Sequence, residues 1–167
     1  MSAKSHYQDF SAYNEWANRR VYDVVSSLPI EAYKCDRGMF FKSIEGTLNH
    51  LVITDLMWLY RMTGEGDYPQ KLDEIIYDDF EGLREARVKL DQRIIEYASG
   101  LEADDFGRVL SYMTVSYGAM ESKLSETLAH FFNHQTHHRG QIHNCLSQID
   151  IDPPPLDYML FLREGSQ

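Results

Sequence analysis

Apolar residues recur along four long stretches of the chain at steps of three, four and seven positions. This is the period of an amphipathic helix that buries one face. Residues that disfavour a helix follow three of the stretches: Pro29 after the first, Gly64, Gly66 and Pro69 after the second, and a run of prolines from Pro153 after the last. The pattern predicts four long helices, over residues 5–28, 43–62, 79–100 and 122–149.

The remaining segments are typical of connections. Residues 64–77 have the composition of a loop. Residues 101–121 break the helical period, and the β-prone run 109–118 predicts a short extended pair or an ordered loop. The apolar tail 156–162 is expected to fold back on the body or to meet another subunit. We therefore predict one domain, residues 1–167, of the all-α class: a four-helix bundle with a short non-helical insert before the last long helix.

Composition and charge narrow the range of functions. Of the 167 residues, 43% are hydrophobic and 25% are charged, which is typical of a globular protein with one sizeable core. The net charge of -10 argues against a nucleic-acid partner, because phosphate backbones bind basic surfaces. No apolar run is as long as a membrane span, and the first ten residues lack the apolar core of a signal peptide. We therefore expect a cytoplasmic protein with neither a nucleic-acid nor a membrane partner.

The two cysteines do not predict a metal or disulfide site. Cys35 and Cys145 lie far apart in the sequence and form no CxxC motif, so a disulfide framework is not expected. Cys145 falls on the apolar stripe of the fourth predicted helix, where it is expected to be a small core residue. Any metal ligands are therefore expected to be histidines.

The run HFFNHQTHHRGQIH, residues 130–143, holds five of the seven histidines. His134 and His138 are four residues apart, which on a helix places both imidazoles on one face, one turn apart. Two neutral imidazoles in that arrangement can chelate one divalent cation. The same pair can also lie in a core and be satisfied by hydrogen bonds, since buried imidazoles need partners. The spacing alone leaves both interpretations open.

The other histidines of this run have weaker claims to a metal. His130 and His134 form a second pair at the same spacing, but the apolar stripe of the helix passes through His138. This favours the pair of His134 and His138 and leaves His130 as a group beside the site. His137 and His143 are expected to face solvent or a neighbouring helix.

Several further polar residues have both a structural and a functional interpretation. His50 lies inside the second predicted helix, beside its apolar stripe, and by itself is more typical of a packed histidine than of a ligand. Arg139 is expected to form a salt bridge between helices, although Arg139 or Gln141 can alternatively pair with an anionic substrate. Asn14 and Asn18 are one turn apart and are expected to hydrogen-bond between helices.

Four stretches of the sequence are similar to one known family: YNEWANRR (13–20), SIEGTLNHLVITDLMWLYRMTG (43–64), HFFNHQTHHRGQIH (130–143) and PPPLD (153–157). The most specific of these features is the NHQTHHRGQ block in combination with the upstream LNHL. On these features the chain resembles the DinB family, the damage-inducible-type proteins of the wider DinB/YfiT-like superfamily. The similarity runs nearly from one end of the chain to the other.

The resemblance implies an up-up-down-down-like four-helix bundle, usually a homodimer, that holds one divalent metal ion, nickel or zinc. It also implies the ligands, which are the histidine of LNHL and the two ends of the HxxxH pattern: His50, His134 and His138. Some relatives in the superfamily are transferases or isomerases that depend on low-molecular-weight thiols. Others are labelled as hydrolases, and fold kinship alone does not choose between these activities.

The ligand set itself favours an enzyme. Three protein ligands leave a coordination position open, as in catalytic zinc sites, and a metal there can activate a bound water or thiol. Gln135 and Thr136 follow His134, so the HExxH motif of metallopeptidases is absent. We therefore expect a metal-dependent transferase or hydrolase with a small-molecule substrate or a low-molecular-weight thiol as its partner, and we assign no catalytic residue. The alternative is a non-catalytic metal- or ligand-binding protein of a stress response.

Overall fold

Helices dominate the computed structural model, which describes residues 2–114 and 117–165. The elements in chain order are α1 (Ala3–Val25), α2 (Ile30–Lys34), α3 (Ile44–Thr63), α4 (Phe80–Gly100), a 3-10 helix (Ala103–Gly107), β1 (Val109–Thr114), β2 (Gly118–Lys123), α5 (Leu124–Gln148) and α6 (Tyr158–Glu164). The all-α prediction is confirmed, and the four long helices lie where the periodicity predicted them, with small shifts at their ends. Among the described residues, no helix combines the length and the apolar character needed to span a membrane.

Polar caps determine where three of the long helices begin. Ser2, Ser43 and Asp79 precede α1, α3 and α4, and each side chain accepts a hydrogen bond from the backbone N–H three residues later. Each cap satisfies a donor that has no partner within the helix and contributes roughly 1 kcal/mol. At the other end of α3, Gly64 has a φ of 79°, a left-handed conformation that glycine adopts without strain and that ends the helix.

The contacts between the long helices determine their directions. α1 packs against α4 and α5, and α3 packs against the same two helices, so α1 and α3 lie diagonally. The directions are up-down-down-up, which differs from the up-up-down-down-like order that the resemblance implied. The connection 64–79 is long enough to return the chain along the bundle, so that α4 runs parallel to α3. α1 runs parallel to α5, because Tyr7 contacts Phe132 and Asn14 contacts Arg139. α1 runs antiparallel to α4, because Asn14 contacts Asp91 and Asp23 contacts Arg84. α3 runs antiparallel to α5, because His50 contacts His138 and Trp58 contacts His130.

The non-helical insert covers the end of the bundle at which α5 begins. β1 and β2 pair antiparallel along their whole length, so the insert forms an extended pair, one of the two predicted alternatives. β2 continues to Lys123, beyond the predicted run 109–118, and residues 115 and 116 of that run lie outside the described residues. Tyr112 of β1 packs edge-on against Trp58 of α3, with ring centroids 5.2 Å apart. Phe106 of the 3-10 helix stacks on Tyr7 of α1. The first contact holds the hairpin against the C-terminal half of α3, and the second holds the 3-10 helix against α1.

Two short helices, α2 and α6, were not predicted by the periodicity. α6 lies on α1, where Phe161 packs against Tyr13 and Trp16, and the Trp16 indole N–H donates to Glu164 at 2.7 Å. The tail therefore folds back on the body, which was one of the two expectations for it. α2 is anchored by Tyr33, which is 3% exposed.

The core consists of the apolar faces of the four long helices. Complete burial of a leucine or isoleucine side chain contributes about 1.5–3 kcal/mol, so this layer supplies most of the driving force for folding. Cys145 lies within it, 2% exposed, as its position on the apolar stripe predicted. Among the most deeply buried side chains are Ile44, Leu48, Leu59, Leu83, Leu128, Phe131, Ile142 and Leu146.

Candidate metal centre

α3 and α5 bring three imidazoles to one point. His134 and His138 project from one face of α5, one turn apart, and His50 faces them from α3. The Nε2 atom of His134 lies 3.2 Å from Nε2 of His50 and 3.1 Å from Nε2 of His138. One ring nitrogen from each residue lies within 4.8 Å of the other two. We call these three residues the histidine centre; they are the residues that spacing and resemblance singled out.

Carbonyl oxygens orient two of the three rings. Nδ1 of His50 lies 2.8 Å from the backbone oxygen of Leu72, and Nδ1 of His138 lies 2.8 Å from Oε1 of Gln141. A carbonyl oxygen can only accept a hydrogen bond, so each Nδ1 carries the proton and each Nε2 presents a lone pair. Phe41 stacks on the ring of His50 at a centroid distance of 3.7 Å and restricts its rotation.

The three Nε2 atoms cannot satisfy one another by hydrogen bonds. Because Nε2 is unprotonated in His50 and His138, a proton between the rings can come only from His134. That single N–H can point to one neighbour, so at least one lone pair has no donor while the rings are neutral. An unsatisfied buried acceptor costs roughly 1–3 kcal/mol. A cation between the three nitrogens would remove this cost.

The surroundings keep the imidazoles neutral. Burial is the main cause that lowers the pKa of His50 to about 4, and burial together with the neighbouring His138 lowers the pKa of His134 to about 3. The pKa of His138 is also lowered, mainly by burial. Protonation near neutral pH therefore does not satisfy the free lone pairs. Metal ligation needs the same neutral form of histidine.

The geometry of the histidine centre fits one metal ion. Metal–nitrogen bonds of about 2.0–2.1 Å hold the ligand nitrogens roughly 3–3.5 Å apart. The two shortest separations between Nε2 atoms, 3.2 and 3.1 Å, fall in that range. Three imidazoles without a thiolate suit zinc, nickel, copper and iron alike, so the donor set leaves the identity of the metal open. The histidine centre can hold one divalent ion.

The histidine centre opens into a cavity of about 470 Å³ between α3, α5 and the hairpin. A cavity of this size accommodates a small molecule. His50 and His134 form part of its wall, and the charged residues of its lining are Arg61 and Glu126. Most of the remaining wall is apolar or aromatic and is contributed by Met57, Trp58, Leu72, Tyr112, Tyr117 and Met120.

Comparison with known proteins shows the family of the chain. The family model described as "DinB family" matches residues 1–166 of the chain. The chain belongs to the DinB family. It is similar to Protein DinB of Bacillus subtilis (strain 168), with 29% identity over 156 residues that cover 90% of each of the two chains. The resemblance seen in the four sequence stretches is thereby confirmed.

Two further histidines of this DinB-family chain lie outside the centre. His130 lines the cavity, with its ring centroid 5.2 Å from that of Trp58 and 5.9 Å from that of His134. Burial and the positive charge of Arg61 lower the pKa of His130. The structure thus places His130 beside the three converging nitrogens and not among them, as the position of the apolar stripe predicted. His137 is exposed, which also agrees with the prediction.

Arg139 lies on the opposite face of α5, in the interior of the bundle. Its guanidinium donates hydrogen bonds to Oδ1 of Asn14 and of Asn18, both on α1, and to Oε1 of Gln135. The helix-linking role expected for Arg139 is present, but the partners are amide oxygens where a carboxylate was expected. Because Arg139 is 3% exposed, it is not available to an anionic substrate. Asn14 and Asn18 connect helices as predicted.

An ion-pair cluster continues from these residues through the interior. Arg87 lies 2.6 Å from Asp55 and 2.9 Å from Asp91, both measured from guanidinium nitrogen to carboxylate oxygen. The other oxygen of Asp55 accepts a hydrogen bond from Gln135, and Asp91 accepts one from Asn18 at 3.0 Å. All four long helices therefore meet in one polar core network, made of Asn14, Asn18, Asp55, Arg87, Asp91, Gln135 and Arg139.

The residues that orient the ligands were largely missed by sequence analysis. Leu72 acts through its backbone oxygen, which no side-chain pattern can indicate. Phe41 precedes α3 in a segment without a helical period, so its stacking on His50 depends on the tertiary fold. Gln141 was singled out, but for a substrate and not for His138. The spacing of three residues from His138 on one helix face could have predicted that hydrogen bond.

Proposed function

We propose that the protein is a cytoplasmic, metal-dependent enzyme that acts on a small molecule, as a thiol-dependent transferase or as a hydrolase. In this proposal His50, His134 and His138 hold one divalent ion, with nickel or zinc as the expected metal. The main support is the convergence of three Nε2 atoms, at least one without a hydrogen-bond donor, at a cavity wall. Buried polar atoms in folded proteins normally have a partner, and a metal ion would supply it here.

The open side of the histidine centre supports catalysis over a purely structural role. Structural zinc is normally enclosed by four protein ligands, whereas catalytic zinc keeps a position for water or substrate. Within the described part of the chain, no fourth histidine, cysteine or carboxylate joins the group. A divalent ion in this position supplies Lewis acidity, which lowers the pKa of a water or thiol that binds it.

The chain's own residues would orient the ligands and exclude water. Leu72 and Gln141 hold two rings so that Nε2 faces the centre, and Phe41 keeps His50 in that position. Trp58 and Tyr112 make the adjoining cavity wall apolar, and a low-dielectric wall strengthens the interaction between charges inside the cavity. The oriented Nε2 atoms and the apolar wall would together favour ionisation of a small nucleophile at the histidine centre over ionisation elsewhere in the cavity.

Titration calorimetry combined with a turnover assay tests the proposal. Zinc-loaded or nickel-loaded protein is titrated with cysteine and 2-mercaptoethanol, and thiol transfer and hydrolysis are then followed on electrophilic test compounds. Binding and metal-dependent turnover that are lost in His50→Ala and kept in His137→Ala support the enzyme. A strong rise of Tm with metal, but with neither thiol binding nor turnover, would instead support the non-catalytic metal- or ligand-binding protein.

We also propose that the protein forms a homodimer. Met113 and Tyr117 on the hairpin are 63% and 81% exposed, and Phe40 is 82% exposed, so apolar surface is available to a second copy. Light scattering at micromolar concentration is expected to give twice the 19.5 kDa mass of the chain. A clean monomer under those conditions would contradict this part of the proposal.

A further inference from the structure

The cavity beside the histidine centre has two chemically different ends. α3 lines it from His50 to Arg61, positions that are about 16 Å apart along a helix axis. α5 runs antiparallel to α3 and lines it from His134 back to Glu126, so the histidine centre is at one end and Arg61 is at the other. Side chains lean toward the N-terminus of their helix, so Arg61 extends back toward the histidines.

Arg61 is held firmly by aromatic and polar contacts. Its guanidinium carbon lies 4.6 Å from the ring centroid of Trp58 and 5.0 Å from that of Tyr112. Nη2 donates hydrogen bonds to the Tyr68 hydroxyl at 3.2 Å and to the backbone oxygen of Met113 at 2.8 Å. Nε has no hydrogen-bond partner in the described part of the chain, but it is shielded from solvent, so a ligand in the cavity does not reach it. Nη1, which is neither shielded in this way nor hydrogen-bonded within the described residues, is the donor that remains for a ligand.

No carboxylate of the described residues neutralises Arg61, which takes part in none of their ion pairs. The other charged residue of the cavity lining, Glu126, directs Oε2 to the backbone N–H of Lys123 at the start of α5. Arg61 is therefore an uncompensated cation at a mostly apolar wall, in a chain of net charge -10. A ligand anion would compensate it, and a carboxylate oxygen can accept a charge-assisted hydrogen bond from Nη1.

We propose that Arg61 is a specificity-determining residue that binds the carboxylate of a small ligand. The apolar body of that ligand lies against Trp58 and Tyr112, and its other end reaches the histidine centre. The inference rests on the proposed function for the reacting end of the ligand, whereas the carboxylate end depends on Arg61 alone. The substrate class is therefore a carboxylic acid with an apolar chain and a metal-binding group at the opposite end.

Titration calorimetry of the zinc-loaded protein tests the pairing with matched probes. The probes are 6-mercaptohexanoate and 8-mercaptooctanoate, each compared with its own carboxamide, so that length and thiol are constant and only the charged end changes. We expect one of the acids to bind roughly tenfold more tightly than its amide, as a charge-assisted hydrogen bond predicts. In Arg61→Gln the acid should lose that advantage while the affinity for the amide stays the same. Arg19→Gln, which removes the same charge from the exposed face of α1, should leave both affinities unchanged.

A second probe pair makes the test independent of the metal. On metal-free protein, 4-phenylbutyrate is expected to bind more tightly than 4-phenylbutyramide, and Arg61→Gln should remove the difference. If this preference is present but the zinc-loaded protein shows neither thiol binding nor turnover, the proposed function fails and the role of Arg61 stands. If thiols bind but acids and amides bind equally in both probe sets, the role of Arg61 is overturned and the proposed function stands.

Two other outcomes would also overturn the role of Arg61. A preference for the acid that survived in Arg61→Gln would place the carboxylate on the metal. An equal loss of affinity for acid and amide would show that Arg61 only anchors the hairpin, through the oxygen of Met113. Circular dichroism checks that the variant is folded, and Arg61→Lys, which keeps the charge but loses the planar guanidinium, should retain part of the preference.

Discussion

Two polar clusters lie on opposite faces of the same two turns of α5. His134 and His138 face the histidine centre beside the cavity, whereas the residues that directly follow them, Gln135 and Arg139, face the interior. The polar core network is balanced: two arginines and two aspartates compensate in charge, and each has an opposite charge or an amide group within hydrogen-bond distance, although Nε of Arg87 has no hydrogen-bond partner among the described residues. The histidine centre is open, because its lone pairs converge without enough donors.

This difference assigns different physical roles to neighbouring residues of one helix. Removal of one partner from the polar core network leaves a buried charge uncompensated, which is a large loss of stability. Removal of one imidazole from the histidine centre leaves no charge behind, so it should change ligand binding far more than folding. Substitutions in the polar core network are therefore expected to lower the stability of the fold, whereas substitutions in the histidine centre are expected to weaken ligand binding with little loss of stability.

The largest expected effect is on folding, in Arg87→Met. The substitution leaves Asp55 and Asp91 buried without their cation, and loss of one partner of such a pair typically costs about 3–5 kcal/mol. Urea unfolding measures the loss. Arg84→Met is the matched control, because it removes an exposed ion pair with Asp23 on the same helix and should cost about 0–1 kcal/mol. Equal losses in the two variants would mean that the polar core network is not a stability element.

The next largest effect is stabilisation by metal. Zinc at about one hundred times its Kd should raise the free energy of unfolding by about 2.7 kcal/mol, because only the folded state brings the ligands together. His134→Ala should show no such rise, while its metal-free form should unfold within about 1 kcal/mol of the parent protein. His137→Ala should respond to zinc like the parent. Thermal unfolding with and without metal measures both quantities, and a metal-free His134→Ala that failed to fold would remove the contrast between the clusters.

A smaller effect is expected at the residue that orients His138. Gln141→Leu removes the acceptor of the Nδ1–H and should weaken metal binding by about 10–100-fold without changing the stoichiometry. Competition with a chelator of known affinity measures the change. Gln148→Leu makes the same substitution at an exposed position of α5 and should leave the affinity unchanged. Identical affinities in both variants would show that Gln141 does not set the orientation of His138.

The fold was predictable wherever a helix is long enough to show its own apolar stripe. The four long helices each bury a repeating face, and that repeat is visible in the sequence. α6 is too short to show it, and its position depends on Phe161 packing against Trp16, a contact between the two ends of the chain. The β-prone residues made the hairpin predictable from the sequence. Its position as a wall of the cavity was not predictable, because that position depends on the contact between Tyr112 and Trp58.

The candidate site divides in the same way into local and long-range parts. His134 and His138 are recognisable from their spacing alone, since one helix places them together. His50 is 84 residues away from His134, and only the family resemblance connected it with the pair before the structure did. The unpaired state of Arg61 could not be predicted, because it requires knowing that no carboxylate comes near it in the folded chain. Pairing across helices is a tertiary property that one sequence does not encode in local form.

The metal content of protein purified without a histidine tag tests the central claim most directly. The account predicts one divalent ion per chain by elemental analysis in the parent protein and in His137→Ala, and no stoichiometric metal in His50→Ala or His138→Ala. His130→Ala should retain the ion, because His130 stands beside the converging nitrogens and not among them. Full stoichiometric metal in folded His50→Ala and His138→Ala would contradict the assignment of the histidine centre.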